Sequence, residues 1–220
     1  MQIVVFDMDG TLVDSSSDIT ASVNHVRRHV YGLDPLSSTT VTEAINRDHR
    51  NLALLFYEQQ EYEPEAQKVF EDHYHRQCVR APRPYDGIVE VVRTLRETGI
   101  YLSVATNAPS RFACRMLEHL ALSRFFDHII GAELVQRPKP DPEMVEILLA
   151  RYGYDAAQDQ ALLVGDSAKD MEAAQRAGIS PFFASWGFGG YDGEAPRLQH
   201  PRDILDLVSP QAGSGAIAHR

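Results

Sequence analysis

Apolar positions along the chain fall into two alternating kinds of segment. Short β-rich runs close on polar residues: VVFDMDG (Val4 to Gly10), IYLSVATN (Ile100 to Asn107) and ALLVGDS (Ala161 to Ser167), with weaker ones at FFDHIIG (Phe125 to Gly131) and PFFAS (Pro181 to Ser185). An apolar run that ends abruptly on acids or glycine reads as a strand buried on both faces. Between these runs the spacing is helical. Ile88, Val91, Val92 and Leu95 stop at Gly99; Pro109 opens a helix carrying Phe112, Met116 and Leu120; Asp141, Pro142 and Glu143 cap and start one that carries Met144, Ile147 and Leu148. Strand alternating with helix predicts an α/β fold built on a doubly wound parallel sheet.

One stretch breaks the alternation. From Ser15 to Pro82, helical patterns follow one another without a strand. Ile19, Val23, Val26 and Val30 form one apolar stripe, ended by Gly32. Thr40 with Glu43 suggests a capping box for a second helix, whose face continues through Leu52, Leu55 and Phe56. A third runs from Pro64 through Val69 and Phe70 to Tyr74. APRPYDG (Ala81 to Gly87) reads as a stiff return linker. The expected organisation is an α/β core over 1–14 and 83–208, a helical insertion over 15–82, and a flexible tail over 209–220, which is small and polar.

Composition narrows the class. With 44% hydrophobic and 24% charged residues the chain has the make-up of a globular protein, and it contains no apolar run long enough for a bilayer. No signal peptide precedes the first strand, so a cytoplasmic protein is expected. The formal charge of −10 would repel nucleic acid and anionic membranes as large partners. A small anion remains compatible with it, because a local cluster of donors and a metal can override the net field. Cys78 and Cys114 are expected to be reduced thiols. The five histidines of the insertion are expected to be surface or hydrogen-bonded residues.

Ligands of an open parallel sheet gather outside the carboxyl ends of its strands. The residues expected there are Asp7 and Asp9, Thr106 and Asn107, and Asp166 with Asp170, joined by Lys139 from a loop. Carboxylates this close repel unless a cation neutralises them, and hard oxygen ligands favour Mg²⁺. The set suits phosphoryl transfer: Asp7 as nucleophile, Asp9 as general acid and base, and Lys139 against developing charge. Gly10 would let backbone approach a phosphate, Thr11 would add a hydroxyl, and Thr106 and the Asn107 amide would bind phosphoryl oxygens. Arg27, Arg28, Arg47, His49 and Arg50 are the cationic candidates for reading a leaving group, with Arg50 in NRDHR (Asn46 to Arg50) the first choice. WGFGGYDG (Trp186 to Gly193) is expected to be a mobile glycine-rich loop near the site.

Four ordered motifs, DMDGTLVDS at Asp7 to Ser15, ATN at Ala105 to Asn107, RPKPDPE at Arg137 to Glu143 and GDSAKDMEAAQRAG at Gly165 to Gly178, give the chain its resemblance. It resembles the haloacid-dehalogenase-like superfamily, in the branch with a helical cap inserted after the first strand, and its motifs are most similar to those of phosphoglycolate phosphatases. The resemblance implies a Rossmann-like core, an aspartyl-phosphate at Asp7, acid/base work at Asp9 and phosphate contacts from Thr106 and Lys139. It further implies Mg²⁺ held by Asp7, the Asp9 carbonyl and Asp166, with Asp170 orienting metal-bound water or supporting Lys139, and a small phosphorylated metabolite as substrate. Ala108 stands where those enzymes commonly carry lysine. The rival readings are a sugar phosphomutase resembling β-phosphoglucomutase and a phospholigand-binding protein without catalysis. Thr11 favours the phosphatase over that mutase, and Asp9 argues against a dehalogenase.

Overall fold

The computed structural model describes residues 1–47 and 51–208. Asp48, His49 and Arg50, and the proposed tail over 209–220, lie outside the described residues. Six strands form one parallel sheet in the order β5-β4-β1-β6-β7-β8. They are β1 (Gln2–Phe6), β4 (Tyr101–Ala105), β5 (His128–Ile130), β6 (Gln160–Gly165), β7 (Ser180–Ala184) and β8 (Arg197–Leu198). Helices α5 (Ile88–Glu97), α6 (Ser110–His119), α7 (Glu143–Tyr152) and α8 (Ala168–Arg176) connect them. A 3₁₀ segment at Pro201–Leu207 and the last strand, β8, are elements the hydrophobic pattern did not announce.

Alternation along the strands divides the interior into two layers. Val4 and Phe6 of β1, Leu102 and Val104 of β4, and Leu162 and Val164 of β6 face α5 and α6. Ile3 and Val5, Ala105, and Ala161 and Leu163 face α7 and α8. Both faces of every central strand are therefore covered, which is why these segments read as unbroken apolar runs. Chain order reverses across β1 and β6: the chain leaves β1 toward β4 and returns to β6 on the opposite side. The loops after β1 and β6 thus border the crevice where an open sheet takes its ligand.

The insertion carries α1 (Ser16–Val26), α2 (Ser38–Asn46), α3 (Leu52–Tyr57) and α4 (Pro64–Gln77). Val23, Val26, Val41, Phe56, Tyr57 and Ala66 form a small core among them. Three local expectations are corrected. The stripe from Ile19 to Val30 is not one α-helix, because a π-helical turn replaces it from Arg27 to Tyr31 before Gly32 closes it at φ 63°. The N-cap of α2 is Ser37, whose hydroxyl accepts from Thr40 N at 3.1 Å, so Thr40 lies inside the helix. Leu52, Leu55 and Phe56 belong to a separate helix, started by Asn51, whose side-chain Oδ1 accepts from Leu54 N at 3.1 Å.

The expected return linker is in part a two-strand ribbon, with β2 (Val13–Asp14) antiparallel to β3 (Arg83–Pro84). Asp18, buried in the first turn of α1, accepts from Gln77 Nε2 at 2.8 Å and Ala81 N at 3.3 Å, tying the way out to the way back. The insertion leans on the core through Tyr74, edge-on to Phe112 with centroids 5.0 Å apart, and through a Glu71–Arg111 ion pair of 2.7 Å. Both cysteines are free thiols. No helix among the described residues is long and apolar enough to cross a membrane.

Candidate active site

Asp7 follows the last residue of β1, and its N–H still bonds Val164 O of β6 at 2.9 Å, so its backbone is fixed by the sheet. Asp166 follows β6 across the crevice, and Asp170 lies in the first turn of α8. Carboxylate oxygens of Asp7, Asp166 and Asp170 lie within 4.8 Å of one another, and all three residues are buried. The histidines form no comparable group among the described residues.

Lys139 is buried in the middle of this charge, with 4% of its surface exposed. Its ammonium donates to Asp7 Oδ1 at 2.6 Å, Asp170 Oδ1 at 2.5 Å and Ala105 O at 2.6 Å, which uses all three protons. Burial works against the ammonium charge, but Asp170 and Asp7 outweigh it and push the pKa up. Asp170 is held from its other side, where Oδ2 accepts from Ser167 N at 3.1 Å and Ser167 Oγ at 2.6 Å. Both its oxygens are thus engaged, Oδ1 by Lys139 and Oδ2 by Ser167.

Burial raises Asp7 to about 7, opposed by Lys139 and reinforced by the charge of Asp170. The same desolvation, followed by repulsion from Asp7, holds Asp166 well above the usual carboxylate range. Asp9 is also pushed up by burial, against a hydrogen bond from the Ser15 hydroxyl. Carboxyls that resist ionisation together mark a place short of positive charge. An all-oxygen donor set of this kind fits a hard divalent cation such as Mg²⁺.

Three glycines, Gly10, Gly187 and Gly189, make the packing around Asp166 possible. Gly10 has φ 90°, and a Cβ there would fall 2.1 Å from Asp166 Oδ2. Gly189 donates its N–H to Asp166 Oδ2 at 2.8 Å, and a Cβ there would fall 2.0 Å from the Asp166 carbonyl. The group that Gly10 admits in this structure is the Asp166 carboxylate. The loop after β7 does lie beside the site, anchored by Gly189 and by Trp186 Nε1, which donates to Thr11 O at 3.0 Å.

Of the other expected ligand residues, Thr106 and Asn107 line the cavity and Thr11 does not. Thr11 is 0% exposed in the tight turn around Met8, and its hydroxyl has no partner among the described residues, so it does not face the cavity. Asn107 spends its side-chain amide on the Lys139 backbone, donating to Lys139 O at 2.8 Å and accepting from Lys139 N at 3.0 Å. It positions the lysine loop with one of its two side-chain amide protons, and it lines the cavity. Thr106 is buried at the cavity wall, its hydroxyl accepting from Ala108 N at 3.1 Å. Neither Thr106 nor Asn107 caps α6, whose Ser110 N–H is taken by Glu133 Oε1 at 2.8 Å. Arg27, 5% exposed, points into the insertion, donating to Asp34 O and Phe56 O, which removes it from the substrate candidates.

A cavity of about 300 Å³ opens from Asp7, Asp9, Lys139 and Asp166 toward the inserted helices. Its far walls are aromatic and aliphatic side chains of α1, α3, α4 and α6. Lys169, on α8 at the rim, donates to Ile45 O at the end of α2 across 3.0 Å. Sequence reasoning passed over Lys169 and Ser15. Ser15 was within reach, since a hydroxyl six residues after Asp9 in one turn can bond it. Lys169 was not, because its partner is 124 residues away.

Comparison with known proteins agrees with this geometry. The profile of the family described as Haloacid dehalogenase-like hydrolase matches residues 4–184. A phosphoglycolate phosphatase from Aquifex aeolicus is 31% identical over 210 residues, covering 94% of this chain and 97% of that protein. An N-acetylmuramic acid 6-phosphate phosphatase from Pseudomonas aeruginosa is 29% identical over 218 residues, covering 94% and 95%. Among solved structures, that of a predicted phosphoglycolate phosphatase from Haemophilus somnus superposes with a TM-score of 0.80 at 25% identity, covering 93% of this chain and 96% of that one.

Proposed function

The chain belongs to the haloacid dehalogenase-like hydrolase family and is a phosphoric monoester hydrolase of that type, and from this premise we propose that it hydrolyses a small phosphorylated metabolite with Mg²⁺ through a phosphoryl-aspartate on Asp7. The observation that carries the reading is the buried array in which Lys139 bridges Asp7 and Asp170 at 2.6 and 2.5 Å, with Asp166 alongside and the cavity in front. Both named relatives act on small phosphate monoesters, which is the substrate class taken over here.

Asp7 attacks phosphorus, the bond to the ester oxygen breaks, and that oxygen leaves with the proton of Asp9. Water then attacks the phosphoryl group, gives its proton to Asp9, and the bond to Asp7 breaks to release phosphate. Asp9 suits this task because its surroundings already favour the protonated form. Lys139 neutralises charge on the transferring group and keeps the Asp7 carboxylate oriented. Thr106 is the residue of the wall that meets phosphoryl oxygens. Asp7, Asp166 and the Asp9 carbonyl would hold Mg²⁺, which when bound would supply the positive charge that lets an anionic nucleophile approach an anionic phosphate. Asp170 acts through Lys139. The inserted helices form a cap that bounds the leaving-group side.

The test is phosphate release from a panel of metabolites and from p-nitrophenyl phosphate, with and without EDTA. Turnover is expected only with Mg²⁺, and Asp7→Asn should reduce it to background with the circular-dichroism spectrum unchanged. Metal-independent turnover, or an Asp7→Asn protein as active as the wild type, would sink the reading.

A further inference from the structure

The cap meets the core through two contacts that are built differently. Between α4 and α6 the contact is broad: Glu71 pairs with Arg111 at 2.7 Å, Arg115 Nε donates to His75 O at 2.9 Å, and Tyr74 packs edge-on against Phe112. Between α2 and α8 a single polar bond joins the two parts among the described residues, from Lys169 Nζ to Ile45 O at 3.0 Å. Both of its residues line the cavity. Lys169 is out of keeping with a plain surface lysine. It is half-buried, and it stands in the first turn of α8, where the helix dipole is positive and a cation is unfavourable. Its one bond among the described residues is the bond to Ile45 O. That carbonyl belongs to the last turn of α2, where the final carbonyls have no partner within the helix and carry the negative end of its dipole. No basic residue of α2 lies in that turn, so the core supplies the cation.

We propose that Lys169 is a positioning residue of the reaction: its ammonium latches the C-terminal end of α2 to α8 and so holds the cap down over the phosphoryl site. This rests on the phosphatase reading above and adds a residue to it. The latch is rooted beside the chemistry, since Lys169 stands three residues after Asp166 and immediately before Asp170. One bond at α2 against a broad contact at α4 lets the α2 edge lift while the α4 edge stays seated, which admits an ester and releases an alcohol from a covered cavity. Closure excludes water from the transferring phosphoryl group. The latch therefore sets the fraction of enzyme in the competent state, and it does so for every ester alike.

The experiment compares the full-length wild type, Lys169→Met and Lys169→Arg with Mg²⁺ on three esters whose leaving groups differ in charge and size: phosphoglycolate, glucose 6-phosphate and p-nitrophenyl phosphate. Lys169→Met keeps the apolar stem and loses the donor. It should lower kcat/KM by about 10-fold on each ester that the wild type turns over, the scale of a hydrogen bond from a charged donor, and Lys169→Arg should recover most of that loss. Hydrogen exchange gives the second readout: in Lys169→Met the amides near the end of α2 should exchange about 10-fold faster, with those of α4 unchanged. Lys169→Gln repeats both measurements and covers the case in which Lys169→Met fails to fold. An unchanged kcat/KM overturns the proposal. So does a loss confined to phosphoglycolate, which would make Lys169 a reader of the leaving-group carboxylate. Exchange that quickens equally in α2 and α4 also overturns it, because the cap would then be loosened as a whole. Each of these results leaves the phosphatase reading standing, whereas wild-type protein without turnover on any ester overturns both.

Discussion

At the scale of single residues, the site depends on how closely neighbouring backbone can approach a carboxylate. Gly10 is the sharpest instance. An alanine there would combine φ 90° with a Cβ 2.1 Å from Asp166 Oδ2, so Asp166 must move. Gly10→Ala is therefore expected to raise the Mg²⁺ concentration for half-maximal activity by about 10- to 100-fold, the usual scale for disturbing what orients a metal ligand. An unchanged Mg²⁺ titration would show that the Asp166 position is not what sets metal affinity. That these acids meet at the cavity was legible in the sequence for a local reason: Asp7, Asp9 and Asp166 each sit where an apolar run stops, and strand ends converge. What Gly10 packs against was not legible, because Asp166 comes from another strand. The bond from Asn107 to Lys139 was not legible for the same cause, its partner being 32 residues away and invisible to local pattern.

At the scale of elements, the cap is held by local hydrogen bonds that can be tested one at a time. Ser37→Ala removes the acceptor for Thr40 N and should cost about 1 kcal/mol in urea unfolding, with Thr40→Ala costing less. Equal losses would restore Thr40 as the cap. Three histidines stack between α1, the turn that follows it and α4: His29 on His25 at 4.2 Å and His25 on His73 at 4.1 Å, with His73 Nδ1 2.9 Å from Ser22 Oγ. Burial, then the charges of His25, Arg76, Arg80 and His29, pull His73 down to about 4, and His25 is lowered as well.

The unfolded chain takes up a proton near pH 6.5 that folded His73 refuses until about pH 4, so this contribution is full above 6.5 and is lost as pH falls toward 4. The raised acids of the active site act in the opposite sense. The readout is therefore a difference. Between pH 7.5 and 5, His73→Gln should lose less of its urea midpoint than the wild type, and parallel losses would refute the assignment. Helix existence in the cap was readable from apolar stripes. The widened turn at Arg27 was not, because what stabilises it is a buried guanidinium reaching carbonyls of Asp34 and Phe56 on other segments.

At the scale of the whole molecule, the doubly wound sheet was readable because Ile3, Val4, Val5 and Phe6 feed two different layers in turn, which forces a run of apolar residues with no polar face. The cavity was not readable. Its aromatic wall is assembled from α3, α4 and α6, whose rings are spread over some sixty residues of sequence and meet only when the cap closes on the core. The acids and Lys139 therefore come from the crevice between β1 and β6, and most of the apolar wall comes from the inserted helices.

Where the phosphoryl group resides during turnover decides the account. Wild-type enzyme quenched in acid while hydrolysing its best ester in Mg²⁺, then digested and mapped by mass spectrometry, should carry one hydroxylamine-labile phosphoryl group on the tryptic peptide Met1 to Arg27, at Asp7. Steady turnover with that peptide unlabelled, or with the label on another side chain, would contradict it.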